Sequence, residues 1–196
     1  MVYKSKTFLV DELKGENFAE EEFITCKFGG TNLRFTTFTK CKFQYCDFSE
    51  SIYDSTNFSN CRFWESKLSN LDFSDVKLAS CDFSTSVMVN CLFQNLKAGS
   101  RAQKKKIDLR GSKFESTDLK GSIFIMCDLT KVSFVGADLE KVSFEECILK
   151  GVDFSEANIN GASFNTSECV DTILDMEGFI NFGNSKGFIL EQQSNN

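Results

Sequence analysis

Residues 36–65 read TTFTK CKFQY CDFSE SIYDS TNFSN CRFWE, and each group of five carries an aromatic residue at its third place. The same period runs from Leu13 to Phe93 and again, after an interruption that shifts it by one residue, from Leu109 to Phe164. These two runs contain 17 and 12 consecutive large apolar centres, and 17 of the 22 Phe occupy such places. A period of five fits neither an α-helix nor a flat strand. The chain therefore needs a backbone path of another kind.

The residue two places before each centre is also restricted, mostly to small side chains. Eight of the nine cysteines stand there: Cys26, Cys41, Cys46, Cys61, Cys81, Cys91, Cys127 and Cys147. The other three places of each five are mainly polar. Four such groups closing a square give a coil of 20 residues, and coils paired as parallel strands lie about 4.8 Å apart. The 29 groups predict about seven coils and a rod roughly 35 Å long.

Three stretches carry a family resemblance: Ala137–Lys141 (ADLEK), Cys81–Thr85 (CDFST) and Val152–Glu156 (VDFSE). They resemble the pentapeptide-repeat family, whose pattern is A(D/N)LXX with F as the alternative centre. The resemblance covers about residues 11–95 and 107–166. It implies an all-β fold, a right-handed quadrilateral parallel β-helix, in which the handedness comes from the family and the square coil from the spacing.

The repeat pattern divides the chain into five segments. The step from Phe93 to Leu109 exceeds three repeats by one residue, which predicts a single excess residue absorbed as a bulge or loop. The segments are 1–10 (N-terminal cap), 11–93 (coils), 94–106 (basic loop and phase break), 107–166 (coils) and 167–196 (C-terminal cap or dimerisation segment). An end of a solenoid must be covered, and two occupants stay open for the C-terminal end, a monomeric cap or a second chain. The candidate residues are Ile173, Leu174, Met176, Phe179, Ile180 and Phe182.

Charge is unevenly distributed along a chain whose net charge is −6. Residues 1–93 carry −3, residues 94–106 carry +5 and residues 107–196 carry −8. The basic segment is either a solvated loop or a partner-contact loop, through Lys97, Arg101, Lys104, Lys105 and Lys106. Candidate acidic faces, spread over three sides of the coil, comprise Glu115, Asp118, Asp138, Glu140, Glu145, Glu146, Asp153 and Glu156.

Some outward places hold apolar side chains. Phe35, Tyr45 and Trp64 are candidate exposed aromatics, with Tyr45 and Trp64 on one face, one coil apart. Ile123, Ile125 and Met126 flank the centre at 124. Such residues either pack beneath a loop or terminus or form a partner patch.

The composition excludes several function classes. There is no His, which removes Ser-His-Asp and Cys-His catalysis and His-ligated zinc. The cysteines form no C-x-x-C and are predicted to be buried structural thiols. No phosphate loop or nucleophile elbow is present. We expect no catalytic residues, metal site or cofactor, and hence no enzyme. With no spanning-length apolar run and no secretory signal, a cytoplasmic location is expected.

The resemblance implies a non-enzymatic binding protein. The best specific hypothesis is a DNA-mimic-like binder of a type II topoisomerase, DNA gyrase or topoisomerase IV, that gives quinolone protection. The charge agrees poorly, since about 35 Å of duplex carries roughly 20 phosphate charges against −6 here. The alternative is a generic protein–protein interaction scaffold with an unrelated partner. Neither hypothesis includes direct nucleic-acid or membrane binding, and a homodimer through the C-terminal segment stays open.

Overall fold

The computed structural model describes residues 1–94 and 106–191, and this part of the chain forms one stack of square coils. Its strands are short, two or three residues each, because the chain turns a corner after each centre. They are β1 (Val2–Lys4), β2 (Asn17–Ala19), β3 (Glu22–Ile24), β4 (Thr37–Thr39), β5 (Lys42–Gln44), β6 (Asn57–Ser59), β7 (Arg62–Trp64), β8 (Lys77–Ala79), β9 (Leu92–Phe93), β10 (Ile107–Asp108), β11 (Ile123–Ile125), β12 (Cys127–Asp128) and β13 (Ser143–Glu145).

All strand pairs are parallel, and they define the faces of the rod. The first face contains β1, β3, β5 and β7 in that order, and the third contains β9, β11 and β13. The fourth face contains β2, β4, β6 and β8, followed by the separate pair β10 and β12. The second face consists of single bridges, such as those that join Lys27 to Asp47 and Asp47 to Lys67. Most register partners are one coil apart, as Phe23 is from Phe43, which is the spacing that the repeat predicts.

The large centres fill the interior. Of the predicted centres, all except Phe18 and Phe164 are buried. Rings one coil apart are stacked, as in Phe28 and Phe48 with centroids 4.4 Å apart at 4°. Rings on adjacent faces meet edge to face, as in Phe23 and Phe28 at 5.5 Å and 64°. Both arrangements suit the aromatic quadrupole. The predicted quadrilateral β-helix of about seven coils is confirmed.

The small-residue place has a chemical reason as well as a steric one. Thr36 Oγ1 donates to the Leu13 carbonyl at 2.6 Å, and Cys61 Sγ donates to the Phe38 carbonyl at 3.3 Å. Both acceptors are centres of the preceding coil. A short side chain with one donor thus fits the corner and bonds a carbonyl. The eight cysteines at this place are buried, as predicted, and Cys169 is exposed.

The corner two residues after each centre has a conformation that the sequence analysis missed. Every non-glycine residue with positive φ in the described part of the chain stands at this place of the repeat. Phe35 (φ 63°), Tyr45 (φ 54°) and Thr25 (φ 54°) are examples. L-residues with a branched Cβ adopt this region at a cost. The coil imposes it because each corner must turn the chain onto the next face.

Thr25→Gly is expected to raise the free energy of unfolding by about 0.5–1 kcal/mol. The left-handed conformation costs a β-branched residue about 1–2 kcal/mol, and the larger conformational entropy that glycine loses on folding offsets only part of the relief. The Thr25 N–H bond to the Gln44 carbonyl, 2.8 Å long, does not need the side chain. Thr39→Gly, within β4, should instead lower the free energy of unfolding by about 0.5–1 kcal/mol. Denaturant melts of both variants test this, and equal destabilisation would contradict the strain argument.

The segment between Phe93 and Leu109 is a larger insertion than expected. The Cys81 N–H bonds the Ser112 hydroxyl of the next coil, which lies 31 residues further along the chain, whereas the equivalent bond from Cys46 to Ser66 spans 20 residues. The coil therefore takes up eleven additional residues, and the expectation of one excess residue is wrong. The first, second and third faces pair across the insertion, whereas β8 and β10 belong to separate sheets.

Both described ends extend the columns of the coils. Near the N-terminus Tyr3 stacks on Phe23 at 4.8 Å and Phe8 stacks on Phe28 at 4.8 Å. The coil continues at the other end as far as the bridge between Asp153 and Ile173. Helix α1 (Met176–Ser185) follows, with the Asp175 carboxylate accepting from the Gly178 N–H at 2.7 Å. No helix in the described part of the chain is long and apolar enough to cross a membrane.

Candidate protein-interaction site

The eight candidate acidic residues lie on three faces of the rod. Each face has one buried centre per coil with outward places on either side of it, so the register of the coils assigns each carboxylate to a face. The first face holds Glu115, Asp153 and Glu156, the second holds Asp118, Asp138 and Glu140, and the third holds Glu145 and Glu146. The structure does not bring them together into one acidic surface.

Two lysines offset most of the negative charge of the acidic group on the second face. Lys120 Nζ lies 3.2 Å from Asp118 and 2.9 Å from Asp138, and Lys141 Nζ lies 2.9 Å from Glu140. Partial burial works to raise the pKa of Asp138, but hydrogen bonds from Lys120 and neighbouring N–H groups outweigh it and hold that pKa below its usual value. Sequence reasoning placed these acids correctly but missed their pairing.

Four of the eight acids make no ion pair within residues 1–94 and 106–191: Glu115, Glu145, Asp153 and Glu156. The Glu145 carboxylate accepts from the Ser143 hydroxyl at 3.0 Å, and the Asp153 carboxylate accepts from the Ser155 N–H at 2.9 Å. Such bonds occupy an oxygen of the carboxylate without cancelling its charge. Three of these four acids, Glu115, Asp153 and Glu156, lie on the first face.

Most of the candidate basic loop lies outside the described residues, namely Lys97, Arg101, Lys104 and Lys105. Lys106 is described, and its Nζ donates to the Glu146 carbonyl at 3.1 Å. The amine thus reaches a corner two coils further along the chain. Lys106 therefore contacts the rod itself.

The three candidate aromatics occupy two separate places. Phe35 is 62% exposed at the corner between the third and fourth faces. Tyr45 is 51% exposed and Trp64 is half-buried, and the Tyr45 N–H bonds the Trp64 carbonyl at 3.1 Å. Arg62 lies beside them, with its guanidinium carbon 5.2 Å from the Trp64 ring centre. Sequence reasoning missed Arg62, although its place two residues before Trp64 puts both side chains on one face.

An outward apolar group lies on the third face. Ile123 is exposed, and Ile125 and Met126 are half-buried. Leu92, half-buried, pairs with Ile123 from β9 and extends the group. Leu92 is not among the predicted apolar residues, although it occupies the same outward place of its repeat.

The C-terminal candidates separate into two groups. Leu174, Ile180 and Phe182 are half-buried, and the Phe182 ring lies 5.8 Å from that of Phe164, as a cap requires. We name the exposed group the C-terminal apolar surface, and it consists of Val170, Ile173, Met176, Phe179, Phe188, Ile189 and Leu190. Ile173 and Phe179 of this surface also line an apolar cavity of about 530 Å³ between α1 and the last coil. Of these residues, the sequence analysis had proposed Ile173, Met176 and Phe179.

The described residues offer no arrangement for metal chemistry. Within residues 1–94 and 106–191 there is no group of three or more Asp, Glu or Cys side chains that could hold a metal ion. The geometry instead presents surfaces, and the chemistry available to them is hydrogen bonding, ion pairing and apolar burial.

Comparison with known proteins supports the repeat along most of the chain. A pentapeptide-repeat region is matched over residues 100–174, and pentapeptide repeats (8 copies) are matched over 23–52 and 56–95. No curated protein sequence matches the chain. Among solved structures, a trypsin-treated variant of QnrB1, a plasmid-mediated fluoroquinolone resistance protein, is similar at TM-score 0.71 and 17% identity, covering 98% of this chain and 99% of that one.

Full-length QnrB1 is similar at TM-score 0.65 and 18% identity, covering 94% of this chain and 96% of the other. At such identities the likeness concerns the fold, which the two proteins share along nearly their whole lengths. The repeat matches, together with the stacked square coils, show that the chain belongs to the pentapeptide-repeat family.

Proposed function

We propose that this chain is a non-enzymatic protein-binding solenoid that binds a type II topoisomerase, DNA gyrase or topoisomerase IV, and protects it from quinolones. The likeness to a fluoroquinolone resistance protein along the whole chain supports the proposal. The observation that carries it is the placement of charge. Residues 107–174 hold 12 acidic and 6 basic residues, a net charge of −6, over about 16 Å of stacked coils.

The negative charge per length of these coils is closer to that of duplex DNA than is the negative charge per length of the whole rod. A duplex segment of about 16 Å carries roughly nine phosphate charges. The coils after the insertion therefore come within a factor of about 1.5 of the duplex, whereas the whole rod differs by a factor of about three. The acidic half of the rod is accordingly the contact surface in this proposal.

A supercoiling assay with purified gyrase, with and without a fluoroquinolone, tests the proposal. The protein should relieve drug inhibition or itself inhibit supercoiling. Neutralising the unpaired acids with Glu115→Gln, Asp153→Asn and Glu156→Gln should weaken that effect at least about tenfold, because exposed charge steers and orients association. A matched variant neutralises three acids already paired in the other half, Glu20→Gln, Glu22→Gln and Asp54→Asn, and should retain the effect.

An unrelated protein partner is the second candidate. It is favoured by the paired acids of the second face. It is also favoured by the exposed Tyr45 and the half-buried Trp64 at the first face. No effect of the protein on gyrase or topoisomerase IV, with or without drug, would select it over the first.

We further propose that two chains pair through the C-terminal apolar surface. Five of its seven side chains are more than 60% exposed: Met176, Phe179, Phe188, Ile189 and Leu190. An exposed apolar area of this kind, at one end of the rod, marks an interface. Burying it against an identical surface gives a closed twofold assembly.

Met176→Glu with Phe179→Glu is expected to convert a dimer into a monomer, since the pair places like charges in an apolar interface. Sedimentation velocity of the wild-type protein and the variant measures this. Both side chains are largely exposed in the single chain, at 77% and 66%, so its thermal melt should change little. The control is Phe35→Glu, which changes an aromatic of similar exposure away from the C-terminal apolar surface. This variant should stay dimeric. A wild-type protein that sediments as a monomer at high concentration would refute the pairing.

A further inference from the structure

Three side chains on and beside the first face form a cluster that we name the aromatic–arginine patch: Tyr45, Arg62 and Trp64. Arg62 and Trp64 are the outer residues of β7, so both project from the same side of the sheet. The guanidinium carbon lies 5.2 Å from the centre of the indole ring. A guanidinium stacked on an aromatic face keeps its N–H edge available for other partners.

The neighbours of Arg62 in the sheet leave it without an ion pair. Its register partners are Lys42 on one side and Asp82 on the other. Lys42 Nζ instead bonds Glu22 at 2.6 Å, and the Asp82 carboxylate accepts from the Ser84 N–H at 3.1 Å. Within residues 1–94 and 106–191, Arg62 forms no salt bridge. An exposed guanidinium thus lies on the indole ring with no carboxylate of the described chain to neutralise it.

Tyr45 completes the patch from the adjacent corner. Its N–H bonds the Trp64 carbonyl at 3.1 Å, and its side chain is 51% exposed. The hydrogen bond with Glu65 raises the pKa of the Tyr45 hydroxyl, which remains neutral at physiological pH. Trp, Tyr and Arg are the residue types that supply most of the binding energy in protein interfaces. Here all three stand at neighbouring outward places of two adjacent coils.

We propose that the aromatic–arginine patch docks an acidic segment of a protein partner. A carboxylate of that segment pairs in bidentate fashion with the Arg62 guanidinium, and a neighbouring apolar side chain packs on Trp64 and Tyr45. The positive charge offered to such a segment is that of Arg62, because Glu22 already pairs with Lys42 on the adjacent strand β5. The proposal rests on the protein-binding role proposed above, but it uses a guanidinium in the other half of the rod that has no ion pair among the described residues.

Trp64 is the single tryptophan of the chain, so intrinsic fluorescence reports on the patch directly. The probe is a synthetic peptide, acetyl-EEFEE-amide, and the comparison peptide is acetyl-KKFKK-amide. The acidic peptide should change the Trp64 emission in a saturable manner and bind less tightly as salt is added. The basic peptide should not. Isothermal titration calorimetry provides a second readout that does not depend on the indole.

Arg62→Ala should weaken binding of the acidic peptide at least about tenfold, which is equivalent to about 1.4 kcal/mol. Arg62→Lys should restore part of the affinity, since lysine keeps the charge but lacks the paired N–H donors of the guanidinium. Arg34→Ala is the matched control, because Arg34 is already bonded to Asp54 at 2.7 Å, and it should bind normally. Inorganic phosphate that binds as tightly as the peptide would show a simple anion site and overturn the proposal. So would the absence of saturable binding by both methods, or equal binding by Arg62→Ala.

The supercoiling assay separates this result from the proposed function. Arg62→Ala lies outside the acidic coils and should retain the wild-type effect on gyrase. If Arg62→Ala loses peptide binding but keeps the wild-type effect on gyrase, the patch is a separate binding surface. If the wild-type protein binds the peptide but has no effect on gyrase, only the topoisomerase partner is refuted.

Discussion

Phe134→Ala is expected to lower the free energy of unfolding by about 3–5 kcal/mol, as the truncation of other buried phenylalanines does. The Phe134 side chain is 0% exposed. Its ring stacks on Phe114 at 5.1 Å and Phe154 at 5.3 Å, and it meets Phe124 and Phe144 edge to face at 6.1 and 5.8 Å. Removal would open a cavity in a column whose backbone is held by intercoil hydrogen bonds, so the site cannot easily collapse.

The matched control is Phe35→Ala, the same chemical change at an outward corner. Phe35 is 62% exposed, and surface truncations away from special features usually change stability by less than about 0.5 kcal/mol. Denaturant melts followed by circular dichroism give both values. Equal destabilisation by the two substitutions would contradict the assignment of inward and outward places.

The interior of this fold could be predicted from the sequence because burial depends on side-chain chemistry at a fixed period. A period of five identified nearly every buried centre, and the place two residues earlier identified the eight buried cysteines. The corner conformation could not be predicted in this way. Thr, Tyr and Glu all adopt positive φ there. The coil therefore imposes the corner conformation, and no residue type in the sequence marks it.

The size of the insertion shows the limit of a period read from hydropathy. The step from Phe93 to Leu109 equals three repeats and one residue, and it equally equals one repeat and an insertion of eleven. Both descriptions place the next centre at the same position. Pairings across the segment, such as that of Asp82 with Lys113, distinguish them. Register depends on which backbone groups bond, and phase alone does not contain that information.

The candidate surfaces were predictable in position and less so in electrostatics. The repeat placed Asp118 and Asp138 on one face, yet the structure shows Lys120 between them. Likewise Arg62 could pair with Asp82 by register but lies over Trp64 instead. These choices depend on side-chain rotamers and on competing backbone donors, such as the Ser84 N–H that bonds Asp82. A linear pattern gives neighbours but cannot rank them.

The buried thiols of the coils have a further consequence for stability at high pH. Desolvation by burial raises the pKa of Cys46, Cys81 and Cys91 to about 12, from the ordinary value of 9.0. Between these two values the folded chain keeps protons that the unfolded chain releases. Stability therefore falls as the pH rises from about 9 towards 12, since the unfolded state is favoured by its ionisation.

Each such thiol contributes a slope of about 1.4 kcal/mol per pH unit, so the three together should contribute about 4 kcal/mol per unit near pH 10–11. Alanine should fit these places, because Ala137 and Ala162 are buried at the same place of their repeats. The triple variant Cys46→Ala, Cys81→Ala and Cys91→Ala should lose that part of the slope while sharing the titration of lysines and tyrosines with the wild-type protein. Urea melts of both proteins between pH 8 and 11, under reducing conditions, measure the difference. Parallel stability curves would mean that these thiols ionise in the folded coil as readily as in the unfolded chain, which their burial at 0–1% exposure makes unfavourable.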